Sequence, residues 1–330
     1  MRPDAASTSP TGRRQLGLGL ALATACIWGS LPIILKGLLQ SLDPYTITWC
    51  RFAIMAALLG AQSLRGGLAL PTKLLSRKGW VLLPTAAAGL CANYLLYMMA
   101  LDYLTPNAAQ VVIQLSFVFM LLGGLVLFRE TFAPVQWLGV GLLVAGMGLF
   151  FNDRLGEVLS ASGPLATGVA IMVVAALLWA TYGLTQKQLQ SELTSRQVLL
   201  FVFLAGTVAF LPGVQFDSLA RLRGLEVVML GGTALVTLVS YLCFAESLKH
   251  IAASRVSVVL ALTPLVTMAG ALTWAQPFPL LFEPEELNAL SLLGVAAVVA
   301  GAVLAALGAP PRRGSGDASP EPSGRVGSDL

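Results

Sequence analysis

The residues of this 330-residue chain that could hold a polar solute are mostly uncharged, and they recur at helical spacing within long apolar runs. Asn107, Gln110 and Gln114 stand at i, i+3 and i+7, one face of a helix. An amide in hydrocarbon needs a hydrogen-bond partner, so this stripe faces either neighbouring helices, which it ties together, or a wet cavity. Thr233, Thr237, Ser240 and Ser247 form a second stripe with Tyr241 beside it, and Asn93, Tyr94 and Tyr97 form a third. A tyrosine offers its ring face to apolar or cationic groups and its hydroxyl to polar ones. Trp28 and Trp179 lie mid-run, too deep for an interfacial aromatic belt. They either pack at an internal axis or line a cavity, and Tyr182 is placed with them.

Charged side chains are few. Glu246 lies about one turn from the end of its run, with Lys249 at i+3 and His250 at i+4. That spacing fits a helix-end ion pair, or a carboxylate that exchanges a proton during transport. Lys36 and Lys187 can snorkel to headgroups. Arg51 is deeper and is read as neutralising a helix end or Asp43. Pro264, inside the run 251–275, removes a backbone donor and is the expected hinge. Cys26, Cys50, Cys91 and Cys243 show no C-x-x-C spacing and read as small buried apolar residues. With a single histidine, no phosphate-cradling loop, no serine elbow and no paired carboxylates in a run, the sequence points to neither an enzyme, a metal nor a cofactor.

These residues are positioned by ten apolar runs, at 17–38, 44–64, 80–101, 108–128, 135–151, 165–186, 195–214, 227–248, 251–275 and 290–307. Each suits the roughly 17 to 25 residues that cross a bilayer as a helix. The composition agrees, with 56% hydrophobic and 11% charged residues and a mean hydropathy of +0.80, against roughly 25% charged in a soluble domain. Period-2 alternation is absent, so the runs are helices and not barrel strands. Of the 20 Lys and Arg, only Lys36, Arg51, Arg154, Arg221 and Arg223 fall on the side opposite the N-terminus. The positive-inside rule therefore places both termini in the cytoplasm, and the net charge of +4 reflects topology, giving no support to a nucleic-acid partner. The first run is long enough to span and reads as a retained helix, not a removable signal.

The chain is also duplicated. Trp28 and Lys36 recur at a shift of 151 as Trp179 and Lys187; Tyr94, Val111, Leu115 and Gly123 recur at 147 as Tyr241, Val258, Leu262 and Gly270; and 138–146 recurs at 155 as 293–301. Shifted by 147, Asn107 and Gln110 meet Ser254 and Ser257, while Gln114 meets Ala261, so a shared cavity would have more hydrogen-bonding capacity on the first half. The expected order is a cytoplasmic tail 1–14, a five-helix repeat 15–151, a periplasmic linker 152–163, a second repeat 164–308 and a disordered tail 309–330. Five is odd, so the second copy enters the membrane upside down; such inverted repeats typically form carriers with a site between the copies.

Residues 25–30 (Ala-Cys-Ile-Trp-Gly-Ser) with Lys36, the stretch from Asp43-Pro44 to Arg51-Phe52, Ala100-Leu101, Arg129-Glu130 and the Leu-Gly…Ala-Gly pattern of the fifth and tenth runs occur in an order that resembles the EamA-type members of the drug/metabolite transporter superfamily. The resemblance covers about residues 15–308. It implies an all-α integral membrane carrier of ten helices in two inverted repeats, set in the cell inner membrane and often exporting amino acids or related metabolites. Its central cavity would be lined by helices one, three, four, six, eight and nine. The chain departs from that pattern at Phe117, where the first repeat usually has proline, and at Gln276-Pro277, which replaces a Gly-Glu and is followed by eight extra residues. The candidate solute-binding residues are Trp28, Asn93, Tyr97, Gln110, Gln114, Trp179, Tyr182, Ser240, Tyr241 and Ser257. Expected partners are a small-molecule substrate, membrane lipids and, through Glu246, a proton. Two alternatives stand beside this reading. A carrier of phosphorylated or nucleotide-linked sugars would need a buried Lys or Arg at the midplane, and a non-transporting scaffold would have a dry, closed interior.

Overall fold

Proline marks where several helices begin. Pro44, Pro106, Pro134 and Pro164 each occupy a first turn, where no backbone donor is needed. Asp43 and Thr105 stand just ahead of two of them and accept the next free backbone N–H groups; Gly163, at φ +95, makes the left-handed turn before Pro164. The computed structural model describes residues 10–67, 76–128, 132–160, 162–251, 253–274 and 287–307. Its α-helices are α1 (Pro10–Leu38), α2 (Pro44–Gln62), α3 (Arg77–Tyr103), α4 (Pro106–Ile113), α5 (Leu115–Phe128), α6 (Pro134–Phe150), α7 (Leu155–Leu159), α8 (Pro164–Leu189), α9 (Ser195–Phe210), α10 (Phe216–Ala220), α11 (Gly224–His250), α12 (Ala253–Leu260), α13 (Thr263–Trp274) and α14 (Ala289–Ala306). No strand occurs among the described residues.

Among the described residues, nine to ten helical segments are long and apolar enough to cross a membrane. Nine apolar segments are long enough to cross, counting α4 with α5 and α12 with α13 as one each; the tenth is the 17-residue α6, which bends by 69° into residues 152–159. The first helix begins at Pro10, inside the stretch expected as tail, and carries Arg13 and Arg14 on its first turns. Residues 1–9 and 308–330 of the tails, Arg129 and Glu130, and the segment with Gln276 and Pro277 lie outside the described residues, as do the side chains of Lys249 and Ser254.

The pseudo-two-fold can be read from individual contacts. A Cβ on Gly139 would lie 2.7 Å from the carbonyl of Gly301, and one on Gly146 would lie 2.8 Å from that of Gly294. At the shift of 155, Gly294 is the mate of Gly139 and Gly301 the mate of Gly146. Each glycine therefore touches the mate of the other, as only antiparallel copies allow. The polar contacts repeat the rule. Gln136 Nε2 donates to the Ala305 carbonyl at 3.2 Å and Ser291 Oγ to that of Phe150 at 3.0 Å; the same shift carries Gln136 to Ser291 and Phe150 to Ala305. Close backbone approach at small residues is how helices associate without a hydrophobic drive between them.

The extensive helix pairings all cross from one repeat to the other: α3 with α8, α1 with α11, α2 with α9, α6 with α14, α5 with α8 and α1 with α13. Two interleaved bundles result, one of α1, α2, α11, α12 and α13, the other of α8, α9, α3, α4 and α5, joined to each other where α2 packs on α9, with the α6–α14 pair beside them. Each bundle is tied at one end. Ser76 donates its hydroxyl and its backbone N–H to Glu192, joining the start of α3 to the chain leaving α8. These two donors hold the exposed Glu192 carboxyl below its ordinary range. At the repeat-related place Ser41, the mate of Glu192 at a shift of 151, bonds Glu226 and joins α1 to α11 with donor and acceptor exchanged.

Candidate functional site

Both the fourth and the ninth span are interrupted partway along, between α4 and α5 at Gln114 and between α12 and α13 at Ala261 and Leu262. Pro264 therefore lies in the first turn of α13, not within a continuous helix. Its missing N–H cannot bond the carbonyl four residues back, which helps end α12. The first repeat breaks equally with Phe117 at the matching place, so the hinge expected at Pro264 belongs to the break ahead of it. The breaks meet at the axis, where Gln114 Nε2 donates to the Ala261 carbonyl at 3.2 Å, one mate bonded to the other.

Around this crossing lies a cavity of about 140 Å³, room for several waters or one small solute. Trp28, Leu31 and Leu35 of α1, Arg51 of α2, Asn93, Tyr94 and Tyr97 of α3, Gln110 and Ile113 of α4 and Gln114 at the break line one part. Ser116 and Phe117 of α5, Trp179 of α8, Thr237 and Tyr241 of α11, Leu260 of α12 and Thr263 of α13 line the rest. Of the candidate residues, the wall thus holds Trp28, Asn93, Tyr97, Gln110, Gln114, Trp179 and Tyr241. The other three lie elsewhere. Ser240 is fully buried behind the wall and accepts the Trp28 indole N–H at 2.8 Å. Tyr182 packs in the apolar cluster with Phe52 and Phe203, because the close approach of α8 to Gly89 of α3 turns it away from the cavity. Ser257 is half-buried on α12 and off the wall.

Gln110 and Gln114 of the amide stripe do both things that its spacing allowed, as does Asn93 of α3, while Asn107 is buried off the cavity wall. Gln110 Nε2 donates to the Trp28 carbonyl at 2.9 Å, Gln114 to Ala261, and Asn93 Nδ2 to the Ala175 carbonyl at 2.8 Å. Each amide ties two helices while its residue still faces the cavity. Glu246 lies outside the wall, 43% exposed, with Oε1 3.4 Å from His250 Nε2. The Lys36 ammonium donates to the Leu101 and Asp102 carbonyls at 2.8 and 2.9 Å, satisfying the last turn of α3. Cys26 is exposed on its apolar span, contrary to the expected burial, whereas Cys50 and Cys91 are buried.

Arg51 is the main correction. Asp43 is spent on the α2 cap, accepting from the Tyr45 and Thr46 backbone N–H groups and the Thr46 hydroxyl. Arg51 lies two turns further in, 3% exposed, with Nη2 donating to Thr237 Oγ1 at 2.7 Å and its guanidinium 5.2 Å from the centre of the Tyr94 ring. A charged residue deep in a span is a functional signal in itself.

An all-helical membrane protein whose inverted repeats enclose a polar-lined cavity between two broken spans has the build of a secondary solute carrier. The chain belongs to the EamA-like transporter family, whose model matches residues 15–152 and 166–307. It is 38% identical to an uncharacterized transporter of Haemophilus influenzae, over 89% of this chain and 95% of that one. It is 35% identical to the uncharacterized inner membrane transporter YhbE of Escherichia coli K12, over 90% of this chain and 93% of that one. A solved crystal structure superposes with a TM-score of 0.62 at 15% identity, covering 88% of this chain and 95% of its own, a likeness of fold.

Proposed function

We propose that this transporter exports small organic solutes, amino acids or related compounds, across the cytoplasmic membrane by alternating access, with both termini in the cytoplasm. The observation that carries this reading is the cavity at the crossing of the broken fourth and ninth spans, bridged by Gln114 and Ala261 on the repeat axis. The bias of Lys and Arg toward the N-terminal side supports the orientation, and the relatives' membrane supports the location. Export is supported by the family resemblance. Efflux of labelled amino acids from loaded proteoliposomes, above that of empty vesicles, is the expected result; no flux across a broad metabolite panel would sink the reading.

Proton coupling through Glu246 has its own test. Glu246→Gln is expected to abolish the dependence of flux on a proton gradient while the protein still folds; a mutant that keeps that dependence excludes the role. A carrier of phosphorylated sugars stands as a second reading, because Arg51 supplies the buried cation that such a carrier requires.

A further inference from the structure

Arg51 is the one charged residue among the described residues that line the cavity, and it forms no salt bridge. Thr237 holds it in place. The Thr237 hydroxyl proton goes to the Thr233 carbonyl at 2.6 Å, so its oxygen is left to accept from Nη2. Nε is buried without a partner. A guanidinium carries five N–H donors in a fixed fork that matches an oxyanion two bonds at a time. Beside it the Tyr94 ring receives the cation on its face. The amide nitrogens of Asn93, Gln110 and Gln114 each give one of their two N–H groups to a backbone carbonyl, and none of them carries a charge. The strongest donor facing the cavity is therefore a fixed cation, on a wall that also carries the aromatic rings of Trp28, Phe117 and Trp179.

We propose that Arg51 is the substrate's anion-binding residue, and that the carried solute bears one oxyanion, a carboxylate, on an apolar or aromatic body. This deepens the transport reading and rests on it. A carboxylate brings one negative charge and so balances the one cation on the wall. A phosphate monoester brings about 1.5 to 2 at neutral pH and leaves an excess. No acidic side chain among the described wall residues is placed to meet a substrate ammonium. An amino acid would have to seat that group on an aromatic face.

The test is binding, which does not depend on flux. Quenching of tryptophan fluorescence in the purified full-length protein in nanodiscs, where Trp28 and Trp179 report on the cavity, is titrated with benzoate, benzamide, phenyl phosphate and phenylalanine. Benzoate is expected to bind at least about tenfold more tightly than benzamide, the worth of one charge-assisted pair of hydrogen bonds. Arg51→Gln removes that preference. Arg51→Lys keeps the charge without the fork and retains part of it, which separates loss of the site from loss of the fold. Equal affinity for benzoate and benzamide, a preference that survives Arg51→Gln, or no binding by any anionic probe overturns the proposal. Tighter binding of phenyl phosphate than of benzoate overturns the carboxylate assignment. Parallel flux measurements keep the two readings apart: a carrier of neutral solutes indifferent to Arg51 ends this inference and leaves transport standing, whereas absence of all flux ends the transport reading.

Discussion

Thr237 fixes how Arg51 can be used. Its hydroxyl bridges the Thr233 carbonyl and Nη2, and no carboxylate among the described residues pairs with the guanidinium. Thr237→Val keeps the volume and removes the acceptor, leaving a charged donor buried without its partner. The expected cost is about 2 kcal/mol, read as a lowered midpoint of thermal unfolding in detergent; an unchanged midpoint would mean that the guanidinium finds another acceptor. Trp28 occupies a comparable position on α1, since its carbonyl accepts from Gln110 and its indole N–H donates to Ser240. Sequence spacing marked Trp28, Gln110 and Gln114 because an amide or indole in hydrocarbon must find a partner somewhere. It misplaced Tyr182, because helical periodicity says which residues share a face and not which neighbour that face meets. Tyr94 and Thr237 were visible as members of polar stripes, yet their joint claim on Arg51 depends on contacts between helices far apart in the chain.

At the scale of elements, the spans were legible and their breaks were not. Hydropathy runs uninterrupted through 108–128 and 251–275, and only Pro264 hinted at discontinuity. The fourth span breaks with no proline, so tertiary packing around Gln114 and Ala261 produces what sequence punctuation does not announce. The glycines of α6 separate packing from composition more sharply. Gly139, Gly141 and Gly146 look alike in sequence, yet a Cβ at Gly146 would come within 2.6 Å of the Val298 backbone nitrogen, while nothing lies within 4 Å of one at Gly141. Backbone cannot give way as the tip of a flexible side chain can. Gly146→Leu is expected to destabilise by about 3 kcal/mol or more by forcing α6 from α14, and Gly141→Leu to leave the unfolding midpoint unchanged. Equal effects would place the α6–α14 contact elsewhere.

For the whole molecule, the duplication was legible and the moving parts were not. Inverted repeats suggest two five-helix halves rocking against each other, but α3 lies on α8 and α1 on α11, so neither half is a body of its own. The ties of Ser76 to Glu192 and Ser41 to Glu226 reinforce pairs drawn from both repeats. The hydrogen bonds of Lys36 to the end of α3 join one interleaved bundle to the other, as the packing of α2 on α9 does. A covalent link distinguishes the two pictures. Gly168 on α8 and Tyr103 on α3 belong to different repeats but to the same bundle, and a Cβ on Gly168 would lie 2.8 Å from that of Tyr103. A disulfide needs about 3.8 Å between Cβ atoms, so a pair of cysteines can form one with roughly 1 Å of relaxation. In a background with Cys26, Cys50, Cys91 and Cys243 replaced by alanine, oxidised Gly168→Cys/Tyr103→Cys is expected to carry solute as fast as its reduced form. If the sequence repeats were the rigid units, that bond would lock them together and stop flux until a reductant was added. The interleaved bundles predict that reduction changes nothing, because the bond joins helices that already move as one.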